Sequence, residues 1–151
     1  MKLSKLIANP ELATSSKSRY QYEILIRGEK TICSSHVETV ITTLKLLADK
    51  KIINLTDIEE SEKIAGFNLI LDVSDLKADE IPDMMKTFND GKWKNRYQVK
   101  KLLVVGKSSY IVCREWTVER VDDFVNKFMS IANKDLDKVK DKKDFCSVTR
   151  K

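Results

Sequence analysis

What the chain has little of narrows its reading first. It holds four glycines and two prolines in 151 residues, too few for a long flexible linker. No run approaches the roughly 18 consecutive apolar residues that a membrane-crossing helix needs, so no membrane partner is expected. Met1-Lys2-Leu3-Ser4-Lys5-Leu6-Ile7 opens as a signal peptide does, but its apolar stretch stops at Asn9-Pro10, short of a hydrophobic region of the required length. The cysteines Cys33, Cys113 and Cys146 are odd in number and have no paired spacing. That argues against a disulfide framework and suits reduced thiols, hence a cytoplasmic location. With a single histidine, His36, a zinc site runs short of ligands. No internal repeat is present.

The remaining composition is that of a globular protein, 42% hydrophobic and 34% charged. The length fits one α/β domain with a single core. We place an N-terminal arm at 1–19, the domain at 20–140 and a charged tail at 141–151. The net charge of +5 is unevenly spread. Residues 31–85 are net −6, whereas 86–101 alone carry +5 from Lys86, Lys92, Lys94, Arg96, Lys100 and Lys101 against Asp90. Such asymmetry bears on partners and encounter rates rather than on fold.

Val99–Ala132 organises the chain. An apolar run through Val99, Leu102, Leu103, Val104 and Val105 breaks at Gly106-Lys107-Ser108 and returns as Tyr110-Ile111-Val112-Cys113. Branched side chains up to the turn predict a strand buried on both faces. Thr117 caps a helix whose stripe is Val118, Val121, Phe124, Val125, Phe128, Ile131 and Ala132. Val104, Ile111, Val121 and Val125 are expected to share one core. Before this unit, alternation over Tyr20–Ile26 predicts a first strand ended by Gly28. Ser35 with Glu38 forms a capping box ahead of the stripe Val37, Val40, Ile41, Leu44, Leu47 and Ala48. Thr56 with Glu59 offers a second, for a short helix over Asp57–Ala65. Phe67–Val73 reads as a second strand. Ile81, Met84, Met85 and Phe88 mark a helix, with Pro82 in its first turn and Gly91 beyond its end. Residues 134–151 are expected to extend the last helix and fray.

The expected fold class is therefore α/β, a small mixed four-stranded sheet with packed helices in the order β-α-β-α-β-β-α. Crossovers between helix-linked strands would make neighbours parallel, with one antiparallel pair at Gly106.

Four constellations bear on chemistry. Leu103-Val104-Val105-Gly106-Lys107-Ser108 imitates the end of a phosphate loop, but position 101 is Lys where the first glycine belongs, and a strand follows instead of a helix. A hairpin turn is expected there. Asp72 and Asp75, at a strand end, are the pair a metal-dependent enzyme would use; alternatively Asp72 caps the strand exit. Cys33 and His36 have the C-x-x-H spacing of metal ligands or of a thiol–imidazole dyad. The fourth is Lys92, Trp93, Lys94, Arg96, Tyr97, Lys100 and Lys101. In it, basic residues suit phosphates and interleaved aromatics suit bases; alternatively Trp93 and Tyr97 pin the loop to the core.

Ile70-Leu71-Asp72-Val73-Ser74-Asp75-Leu76, followed by a helix and Lys101–Gly106, resembles STAS-type regulatory domains over residues 70–106. The Asp-Ser-x-Gly phosphoacceptor signature of the anti-sigma antagonist members is missing, since Val73 precedes Ser74 and no glycine is near. No family is assigned on it. The function expected is non-catalytic binding of an anionic partner, a nucleic acid, through the basic-aromatic loop 92–101. A protein-interaction module and a metal-dependent enzyme at Asp72 and Asp75 stand as alternatives. No cofactor is expected.

Overall fold

A computed structural model describes residues 17–93, 95–134 and 145–150. Its elements run β1 (Lys17–Ile26), β2 (Glu29–Ser35), α1 (His36–Asp49), α2 (Leu55–Ser61), β3 (Lys63–Ile64), β4 (Phe67–Asn68), β5 (Ile70–Asp72), α3 (Ile81–Thr87), β6 (Tyr97–Val105), β7 (Ser108–Cys113), α4 (Val118–Ala132) and β8 (Ser147–Arg150). The fold is mixed α/β, as expected, but the strands form three small sheets, ordered β2-β1-β8, β3-β4 and β5-β7-β6. The expected single four-stranded mixed sheet and its element order are thus corrected. Every pairing among the described residues is antiparallel.

The reason lies in the turns. Arg27-Gly28 and Ala65-Gly66 both hold positive φ at each position, the geometry of two-residue hairpins that return a strand beside itself. The first creates β2 where the sequence reading stopped at Gly28. The second diverts the start of the predicted Phe67–Val73 strand to β3, leaving Ile70–Asp72 to pair with β7. β5 and β6 both pair antiparallel to β7, so they run parallel to each other without touching. The strand–helix–strand unit behind the STAS resemblance is therefore not a crossover between neighbours. Gly106, at φ 60, makes the β6–β7 hairpin that the sequence predicts.

Helix α1 begins at the predicted cap, where Ser35 Oγ accepts from the Glu38 amide at 3.1 Å. It ends in a Schellman arrangement. The Ile52 amide donates to Leu47 O and that of Lys51 to Ala48 O, with Lys51 at φ 61 in the place usually given to glycine. Helix α2 starts earlier than predicted because Asn54 caps it, its Oδ1 accepting from the Thr56 amide at 2.9 Å. Helix α4 stops at Ala132, and Ser147–Arg150 forms a strand on β1. The expected helical extension is therefore corrected at both ends of that segment, while 135–144 lie outside the described residues. Asn133 explains the stop: its side-chain amide donates to Cys146 O and accepts from Cys146 N, both at 2.8 Å.

The core has two clusters on opposite faces of the β5-β7-β6 sheet. β7 is the shared wall, with Tyr110 and Val112 in the larger cluster and Ile111 and Cys113 in the smaller. Alternating residues of a strand face opposite sides, and here both sides are covered. The larger cluster holds the inner faces of β1, α1 and α4; the smaller holds Val73, Ile81, Met85 and Tyr97. β6 departs from the prediction of two-faced burial. It lies at the sheet edge, Leu103 is buried, and Val104 is 42% exposed. Val104 and Ile111 consequently do not share a core with Val121 and Val125. No helix among the described residues is long and apolar enough to cross a membrane.

Candidate nucleic-acid interface

The basic loop is delivered by a turn that only certain residues make. After α3, Asn89, Asp90 and Gly91 all hold positive φ. Asn and Asp tolerate this region better than other side chains, and glycine does so without strain. A Cβ on Gly91 would lie 2.8 Å from the Lys86 carbonyl oxygen, so the position admits only glycine without a backbone shift. Lys92 and Trp93 follow directly.

Trp93 is built into an aromatic cluster. It stacks on Tyr97 with ring centroids 6.0 Å apart and meets Phe67 and Phe88 edge-on at 5.3 and 5.6 Å. Such offset and edge contacts add to plain burial. Tyr97 opens β6 and is 2% exposed. Its hydroxyl donates to Asn68 O at 2.5 Å, and burial raises its pKa far above the ordinary value. With its ring enclosed, Tyr97 presents no face for a base to stack on.

The cations divide into paired and unpaired. Arg96 lies over the Phe67 ring, 5.5 Å from its centroid, and bonds Glu115 at 2.6 Å. Lys101 pairs with Glu38 at 3.3 Å. Lys92 and Lys100 are exposed, and among the described residues their ammonium groups have no ion-pair partner. Lys94 lies outside the described residues.

The β6–β7 register slips between Gln98 and Leu103. In the bulge, Val99 and Leu102 pack on the smaller cluster while Lys100 and Lys101 stay exposed. Bulges re-aim side chains in this way. The sequence reading missed Arg114, exposed beyond β7, whose amide donates to Arg96 O at 2.7 Å. Its only sequence signal is its place just past the strand that pairs with β6.

The other two constellations are not assembled into sites. Asp72 Oδ1 accepts from the Ser74 amide at 2.8 Å and from Ser74 Oγ at 2.5 Å, a local turn closure, while Asp75 is exposed. Among the described residues, no group of three or more His, Cys, Asp or Glu is placed to hold a metal ion.

Cys33 and His36 look different ways. The Cys33 thiol is buried against α1, 3.4 Å from Thr42 Oγ1, and burial raises its pKa, which disfavours the thiolate a nucleophile needs. His36 Nδ1 lies 2.8 Å from the Tyr22 hydroxyl. Burial, and then the charge of Arg150, lower its pKa. In comparisons with known proteins, no family model, no curated protein and no solved structure matches this chain.

Proposed function

We propose that this protein is a non-catalytic binder of an anionic partner, a nucleic-acid backbone, through the cationic rim of 92–101. One observation carries the reading. The irregular stretch of β6 packs the half-buried Val99 and Leu102 against the smaller cluster and leaves Lys100 and Lys101 exposed, on the segment that begins with exposed Lys92. Arg96 and Arg114, joined through the backbone, extend the rim. Exposed cations suit phosphates. The enclosed Tyr97 ring argues against base stacking there, so the binding we propose is electrostatic and largely independent of sequence.

The test is a salt titration with a labelled oligonucleotide. Log affinity should fall with log salt by roughly 0.7 per phosphate contact for single strands and 0.9 for duplex. Lys92→Ala with Lys100→Ala should weaken binding and flatten the slope by about 1.5–2. The melting temperature should hold, since exposed charges contribute little to folding. Trp93→Ala should lower the melting temperature, because the ring anchors the loop. Unchanged affinity and slope in the double variant would remove this reading and favour a protein-interaction module instead.

A further inference from the structure

At the far end of β6 from the basic loop, the α1–α2 connection and the β6–β7 turn enclose an open cavity of about 560 Å³. We infer that this cavity is a binding site for a sugar phosphate, and it is independent of the rim just described. Three groups carry the inference.

The first is Tyr110. This residue lines the cavity and is only 3% exposed. Its hydroxyl makes no hydrogen bond among the described residues, nor is it sealed from solvent, since Thr43 Oγ1 is the one buried oxygen there without a partner. An unpartnered hydroxyl that keeps some exposure, on a residue that lines the cavity, is available to a ligand there. The second and third are Lys51 and Asp57, opposite charges lining the same space, neither ion-paired among the described residues. An ammonium is a point charge suited to a phosphate. A carboxylate accepts from vicinal hydroxyls, as acidic residues do from a ribose. Thr56 and Ser108 add hydroxyls, and Ile52 an aliphatic wall. The volume is of the order that small-molecule sites occupy.

Lys51 bears on this twice. It holds the left-handed position that closes α1, where glycine is less strained. A lysine there brings an ammonium to the cavity that glycine lacks.

Calorimetric titration of the full chain tests the assignment, with ribose 5-phosphate as ligand and ribose and inorganic phosphate as controls. Ribose 5-phosphate should bind saturably, and more tightly than either control. Tyr110→Phe, which removes only the hydroxyl, should weaken it about fivefold, and Lys51→Gly about tenfold or more. Both variants should fold, as far-UV circular dichroism would report, and Lys51→Gly should melt no lower than wild type. Lys100→Ala should leave binding unaltered. Absence of saturable binding, phosphate binding as tightly as the sugar phosphate, insensitivity to both cavity variants, or loss in Lys100→Ala would each overturn the assignment.

Discussion

Single residues carry more of this structure than their types announce. His36 reads in sequence as half of a C-x-x-H pair, yet its Nδ1 is spent on Tyr22. Arg150, held by Asp122 at 2.5 Å, adds a second charge whose repulsion, with burial, lowers the imidazole pKa. The sign follows from linkage. The unfolded chain, with the ordinary imidazole value, binds the proton more readily than the folded one. The stabilisation is therefore full above that ordinary value and is lost as pH falls through the lowered folded value. Urea unfolding at pH 7.5 and 5.5 should show the stability gap between wild type and His36→Gln shrinking on acidification. A gap that stays constant or widens would contradict the account.

At the scale of elements, one side chain clamps the approach to β8. Asn133 offers its amide to the Cys146 backbone as a neighbouring strand would, one donor and one acceptor. Asn133→Ala would leave both backbone groups without those partners, at a cost of about 1–3 kcal/mol if they stay buried. The amides of Ser147–Arg150 should then exchange faster while those of α1 keep their protection; equal protection of β8 in wild type and variant would refute the clamp.

The elements also show where the sequence was legible. The helices α1 and α4 were legible because caps and apolar stripes are local signals, and so was the hairpin at Gly106. β8 was not, because it pairs with β1, at the other end of the chain and far outside any local window. Nor was β2: Arg27 at positive φ disguises a hairpin turn that Asn-Gly would have announced. In the candidate interface the cations were legible from composition. Whether Tyr97 faces a ligand or pins the loop to the core was left open, because the answer lies with Asn68, distant in sequence, whose carbonyl accepts from the Tyr97 hydroxyl.

For the whole molecule, the arrangement of the two clusters bears on how the chain unfolds. They are separate in membership but share β7, whose side chains alternate between them. A strand common to both cannot leave one without exposing the other, so the two clusters should unfold together. The two tryptophans make this measurable, because Trp93 packs on the smaller cluster and Trp116 on the larger. In Trp93→Phe, fluorescence reports the larger cluster through Trp116; in Trp116→Phe, it reports the smaller through Trp93. Each substitution shifts stability by its own amount, so the comparison belongs within a variant, between its fluorescence and its far-UV circular dichroism in urea. In both variants the two transitions should share one midpoint. A fluorescence midpoint displaced from the dichroism midpoint in either would mean that one cluster melts alone, with β7 keeping its place on the other.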